Sequence, residues 1–412
     1  MNKKNHYLNL NTLIAFIIVT SFFLGFYLQE NSSGGAADFY HVLNNLNIFY
    51  NNSFFKINWT EYRSSSLPLY YLVNSFFYNP ENLLPLRVFC LFISIISFVL
   101  FFQVLKMNLK VDKSLVLLIA SLVFLSPYFR TSTYWMMEEN FPILMTLLSF
   151  YLYFKLNLKF NYVTLFLAIF FSACAFFSRQ NYIVLSFILF LLVFDWNKLV
   201  SKKNFLILIF YLISFFPVIY FIIIWKGIVT PQLASEKRAM MFYFYNIPHL
   251  MNIILIYLVP FIYLKKESII IFLNKNKFQL IFFFLIYLLI FYKFNPDIAG
   301  GGAINKLLHM IIEGATLKYV TIIFSYISFV IFFFLFIDNK IITTFFSLNI
   351  LLYCTINPIW QEYFDPIVLI FIMIFSKTLM NINLQRFVYI LTIYLTLFLS
   401  LSIVDQHLLF IN

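Results

Sequence analysis

Asp38 and His41 stand three residues apart, just past the pair Gly34-Gly35, so on a helix they would share a face. An aspartate so placed can take the proton of an attacking hydroxyl as a general base, or simply cap a helix. Glu138 and Glu139 follow Tyr134-Trp135, an aromatic pair of the kind that sits at a membrane–water boundary. Being adjacent, the two acids point to different faces of a helix, so at most one would face a site. Arg179 lies in Ser178-Arg179-Gln180-Asn181, squeezed between two apolar runs. An arginine at such a boundary either snorkels to water or needs an anion, a carboxylate or a phosphate. Gln180 and Asn181 would add neutral hydrogen-bonding groups beside it. Lys237 and Arg238 form a basic pair in Ser235-Glu236-Lys237-Arg238, and His249 follows in Asn246-Ile247-Pro248-His249. A lipid phosphate suits that pair, as do lipid headgroups in general. Glu362 stands in Gln361-Glu362-Tyr363-Phe364-Asp365-Pro366, at the start of a late helix. There is no Ser/His/Asp spacing, no HExxH and no CxxC, so neither a hydrolase nor a metalloprotein is nominated, and no metal or cofactor is expected.

The elements that must hold these residues are membrane helices. Of 412 residues, 63% are hydrophobic and 11% charged, with mean hydropathy +0.90, whereas a soluble globular chain carries about 25% charge. No soluble core could hide so much Phe, Ile and Leu. The residue usage also lacks the strict apolar–polar alternation of barrel strands. The fold class expected is all-α: a polytopic transmembrane bundle of about 11–13 helices. The three cysteines, Cys90, Cys174 and Cys354, each lie in an apolar run with no disulfide or zinc spacing, and read as small buried hydrophobes.

Thirteen candidate spans follow from the apolar runs: 12–28, 84–105, 115–128, 141–156, 161–177, 180–194, 205–225, 249–264, 278–294, 319–337, 341–356, 366–380 and 387–404. The first has no small-residue cleavage site after it and reads as a retained anchor. With the N-terminus in the cytoplasm, 17 of the 28 basic residues fall on the inside with four of the 16 acids, a net of +13 against −1 outside. That asymmetry is the positive-inside pattern. It also accounts for the overall charge of +12 without invoking nucleic acid. The outside segments are the long ones, and 1–412 reads as one integral membrane domain. Segment 29–83 is its first outer loop, carrying Asp38, and 226–248 an outer basic loop; 65–78, short and Tyr-rich, reads as an interfacial helix.

Taken in order, these pieces resemble the GT-C superfamily of polytopic glycosyltransferases. Within it they resemble the dolichyl-phosphate-glucose-dependent α-1,2-glucosyltransferases. Phe177-Ser178-Arg179-Gln180-Asn181 is similar to that family's Phe-Arg-Gln-Thr-Asn. Gly227-Ile228-Val229, then Ser235 and Ile247-Pro248-His249-Leu250, looks like its Gly-Ile-Val loop, and Glu362-Tyr363-Phe364 resembles its Glu-x-Arg-Tyr-Phe. The family places two acids after its first helix, where this chain has Asp38 followed by Phe39. The resemblance implies an inverting hexosyltransferase, with glucose the implied sugar and a polyprenyl-phosphate donor. Asp38 would be the catalytic acid. Arg179, Lys237 and Arg238 would hold the donor phosphate. His41, Glu138, Glu139, Gln180, Asn181, His249 and Glu362 would bind substrate or serve as a secondary acid. The partners would be the lipid-linked sugar, a glycan acceptor and the bilayer. The setting would be a bacterial inner membrane, or the endoplasmic reticulum in a eukaryote, with the site on the non-cytoplasmic face. Two other readings stay open: a surface-polysaccharide polymerase, and a flippase for lipid-linked sugars.

Overall fold

The computed structural model describes residues 9–409 apart from 53, 63, 65, 228–229, 232–241, 297–301, 313, 357–358 and 377–382; the side chains at 55, 315 and 407–409 are also left aside. Among the described residues the chain is helix and turn, with no strand. It divides into two compact units, one of Met1–Ala239 with Leu395–Asn412 and one of Met240–Tyr394.

In the first unit the helices are α1 (Leu10–Leu28), α2 (Gly35–Asn51), α3 (Leu69–Ser75), α4 (Leu84–Asn108), α5 (Lys113–Ser121), α6 (Pro127–Tyr134), α7 (Asn140–Leu158), α8 (Tyr162–Ser178), α9 (Ile183–Val193) and α10 (Lys202–Trp225). Their starts are written locally. Asn9, Asp112, Ser126, Asn161 and Ser201 each accept a hydrogen bond from a backbone N–H of the first turn, which satisfies donors the helix itself cannot. Pro127 follows Ser126 at the first position of α6, where its missing N–H costs nothing. There the chain turns by 68° between Lys113–Leu125 and Pro127–Tyr134. Helices α4, α7 and α8 pack in sequence, and α10 packs on α8.

The second unit holds α11 (Asn246–Lys275), α12 (Lys277–Ile290), α13 (Gly302–Ile311), α14 (Gly314–Phe336), α15 (Lys340–Tyr353) and α16 (Ile367–Phe375); α17 (Leu384–Leu409) begins in it and ends in the first. Helix α11 is its buried centre and packs along α14. Ser328 of α14 donates to the Met251 carbonyl at 2.6 Å, and Asn246 donates to the Tyr353 and Ile356 carbonyls at 3.2 and 2.5 Å.

Among the described residues seven helices are long and apolar enough to cross a membrane, or eight if the bent pair is one span. The chain is a multi-pass helical membrane protein. All thirteen candidate segments overlap a helix, but those at 278–294, 341–356 and 366–380 shorten to 14, 14 and 9 residues. Three polar stretches differ from expectation. The basic segment 265–277 is no loop, since α11 runs through Lys265-Lys266-Glu267 for 30 residues; Lys and Glu lower hydropathy but are good helix formers. In 29–83, α2 takes 17 residues. Within 65–78 the helix is only α3, whose Tyr70 and Tyr71 are 1% and 2% exposed, while Phe76 and Phe77 just beyond it are open. Most of 226–248 lies outside the described residues, and its last three positions already belong to α11.

Candidate functional site

The turn between α6 and α7 is tied down on several sides. The Ser132 hydroxyl accepts from the Asn140 N–H at 3.1 Å and donates to the Met137 carbonyl at 2.8 Å. Met136 takes the left-handed conformation, φ 53°, rare for a side-chain-bearing residue, and its carbonyl accepts from the Tyr70 hydroxyl. Trp135 donates from Nε1 to the Glu30 carbonyl at 3.1 Å, and its ring meets that of Phe39 at 5.8 Å. Glu138 and Glu139 end this fixed turn.

Glu139 is 7% exposed and pairs with Arg179, Nη1 to Oε1, at 2.8 Å. Arg179 reaches it from an extended residue that ends α8 and opens the 3-10 turn Gln180–Tyr182. Among the described residues Glu138 has no such ion pair. Among the same residues its Oε1 accepts long hydrogen bonds, 3.4 Å from Ser64 and 3.5 Å from Tyr71, the Ser66 side chain also bonds to the carboxyl, and its Oε2 is sealed from solvent without a hydrogen bond. Burial pushes the Glu138 carboxyl above its usual range; Arg179 pulls it back in part, and Glu139 raises it further. Burial also holds the Tyr62, Tyr70 and Tyr71 phenols well above the ordinary phenol range, so they stay protonated. The loop beneath is held by Tyr62, which donates to the Ser66 carbonyl at 2.9 Å, and by Ser64, which accepts from the Ser66 N–H at 3.0 Å. An aromatic wall of Phe49, Trp59, Tyr62, Tyr71, Phe221 and Trp225 backs it.

The remaining predicted residues are distributed more widely. Asp38 sits in the first turn of α2, exposed, where the helix dipole favours a negative charge. His41 is exposed one turn on, its ring 6.2 Å from that of Tyr40. Among the described residues no hydrogen bond or ion pair joins Asp38 to Glu138, Glu139 or Arg179. The link is indirect: Phe39, next to Asp38, packs on Trp135, three residues before Glu138. Gln180 and Asn181 are half-buried beside Arg179. His249 and Glu362 belong to the second unit. His249 is buried near the start of α11 with its ring 4.8 Å from that of Phe294, and Glu362 is half-buried in the 3-10 turn Gln361–Tyr363. Lys237 and Arg238 lie outside the described residues.

Sequence reading missed a second ion pair. Arg130 of α6 grips Glu30, just past α1, by Nε to Oε1 at 2.8 Å and Nη2 to Oε2 at 2.5 Å, with side chains 3% and 13% exposed. Its other N–H groups donate to Ser21 and to the Phe124 carbonyl. A Cβ at Gly25 would stand 2.5 Å from Arg130 Nη2 and 2.8 Å from Glu30 Oε2, so a side chain there would have to displace the ion pair. The available signal was Arg130 itself, alone among Thr131, Ser132 and Thr133 in a segment short of water.

Chemically, the Arg179 guanidinium pairs with Glu139 by contact and acts on Glu138 through its charge. Arg179 can exchange Glu139 for another oxyanion, a phosphate included, because the fork fits both. Glu138 can hold or release a proton. Among the described residues, no three of His, Cys, Asp and Glu gather as a metal-binding group. Comparison with family models, curated proteins and solved structures finds no match to the chain.

Proposed function

We propose that this membrane protein is an inverting glycosyltransferase. It takes a hexose, with glucose as the first candidate, from a polyprenyl-phosphate carrier and passes it to a glycan or lipid-linked acceptor. The observation that carries the reading is the Arg179–Glu139 pair with Glu138 beside it, set at the ends of the apolar helices α7 and α8. A lipid phosphate lives at that depth, and a buried arginine is the side chain suited to grip it. The acceptor hydroxyl attacks the anomeric carbon on the face opposite the phosphate and gives its proton to Asp38. The bond to the phosphate oxygen breaks, and polyprenyl phosphate leaves on Arg179, helped by Lys237 and Arg238. Gln180, Asn181 and His41, in the same unit as Arg179, are the candidate contacts to sugar and acceptor hydroxyls. The charge asymmetry supports a cytoplasmic N-terminus and a site on the opposite face, in a GT-C-like arrangement of helices.

The test is direct. Purified protein in lipid receives polyprenyl-phosphate hexose and candidate acceptor glycans, and both free polyprenyl phosphate and sugar incorporation are followed. Stoichiometric release and incorporation support the reading. Consumption of diphosphate-linked repeat units instead would move the assignment to a polysaccharide polymerase.

A further inference from the structure

The Glu138–Glu139–Arg179 group has one cation for two acids, and the geometry decides which acid is left over. Glu139 takes the guanidinium at 2.8 Å. Among the described residues Glu138 receives the long contacts from Ser64 and Tyr71 and a side-chain contact from Ser66, all short of an ion pair, and its sealed Oε2 has no hydrogen-bond partner. An ionised carboxylate draws short, charge-assisted hydrogen bonds, and leaving one of its oxygens buried without a donor is costly. A neutral carboxylic acid fits the same surroundings with far less penalty. Among the described residues, the titratable or charged groups that face Glu138 do not change this. Tyr62 and the two tyrosines of α3, Tyr70 and Tyr71, are neutral, Glu139 is a like charge, and Arg179 is already engaged.

We infer that Glu138 carries a proton in the resting protein and delivers it to the phosphate oxygen that leaves the sugar, on the phosphate that Arg179 holds. The inference rests on the glycosyl-transfer reading above. In the step, the acceptor oxygen forms its bond to the anomeric carbon and its proton passes to Asp38. The carbon–oxygen bond to phosphate breaks, and its electron pair stays on the phosphate oxygen. That oxygen takes the proton of Glu138. Asp38 then loses a proton to water and Glu138 regains one from water, which closes the cycle. The arriving phosphate competes with Glu139 for the Arg179 fork, so the donor draws the cation toward the reacting atoms as it binds. Asp38 and Glu138 thus divide the work of base and acid, the exposed carboxyl accepting and the half-buried one donating.

Two readouts test this. Infrared spectra of the purified protein at pH 7 should show a protonated-carboxyl stretch that shifts in heavy water. Glu138→Gln should remove that component and Glu139→Gln should leave it. If Glu138→Gln removes no protonated-carboxyl signal, the inference is overturned, whatever the enzyme assay gives. In the transfer assay, Glu138→Gln should lower kcat by about 10²- to 10⁴-fold with donor KM little changed. The basic limb of the wild-type pH profile should vanish with it. A purely structural Glu138 would instead leave that limb in place, and that result also refutes the role. If the wild type transfers no sugar, the glycosyl-transfer reading falls and with it the delivery step, while the infrared result still decides the proton.

Discussion

Arg130 and Glu30 give a prediction whose size can be worked from the contacts. The guanidinium makes two parallel bonds to the carboxylate and three more to Ser21 and the Phe124 carbonyl, at 2.5–3.3 Å, with almost no solvent. Glu30→Gln preserves the shape but leaves the cation buried without a counter-charge. Arg130→Met leaves the buried carboxylate without its guanidinium donors. Removing one partner of a buried pair costs about 3–5 kcal/mol, whereas replacing both by apolar groups can be nearly neutral. For a unit of this size each kcal/mol moves Tm by about 2–4 °C, so each single substitution should lower Tm by about 6–20 °C. The double variant Glu30→Leu/Arg130→Met should lie well above the additive expectation. The assay is thermal unfolding of the purified variants in detergent, followed by tryptophan fluorescence, with coupling taken from the double-mutant cycle. Single substitutions that each cost under about 1 kcal/mol, or a strictly additive double variant, would refute the reasoning that this pair closes α1 onto α6.

Three further outcomes are expected. Asp38→Asn should lose about 10²- to 10⁴-fold in turnover with donor binding kept; since Asn caps a helix as well as Asp, near wild-type turnover would make Asp38 a cap and nothing more. Stability should fall as pH rises through the raised carboxyl range of Glu138, because burial favours its protonated form in the folded state, and the contribution is fully present below the ordinary value of 4.5. Glu138→Gln should flatten that slope in pH-dependent unfolding, and an unchanged slope would remove Glu138 as its source. In a background with the three native cysteines replaced by alanine, an impermeant thiol reagent applied to intact cells should label Asn52→Cys and spare Asn274→Cys, both exposed positions; the reverse pattern would invert the topology and with it the placement of the site.

The apolar helices were legible because each span is a run of residues whose backbone can be satisfied only within itself. Their ends were less so. Lys265-Lys266-Glu267 lowered the local hydropathy without breaking α11, since hydropathy records partition and not helix propensity. The segment 29–83 read as loop because α2 mixes exposed polar residues with a buried stripe of Val42, Leu46 and Phe49, a pattern quieter than a membrane run. At the site, Arg179 announced its need for an anion, but that the anion is Glu139 depends on the turn set by Ser132 and Met136, which is tertiary information. Arg130 and Glu30 are 100 residues apart, and nothing in either local sequence names the other.

Glycosyl transfer by this protein requires that the Arg179 group handle a phosphate-linked sugar. The most direct measurement is release of polyprenyl phosphate from a polyprenyl-phosphate hexose by the reconstituted wild-type protein, beside Arg179→Lys. Lysine keeps the charge but loses the two-pronged fork, so donor use should weaken by about 1–3 kcal/mol, the range of a charged hydrogen bond, which is a rise of about 5- to 150-fold in donor KM. Wild-type release with that rise in Arg179→Lys is the predicted result. No release by the wild type under any acceptor, or release with unchanged donor KM in a folded Arg179→Lys protein, would contradict it.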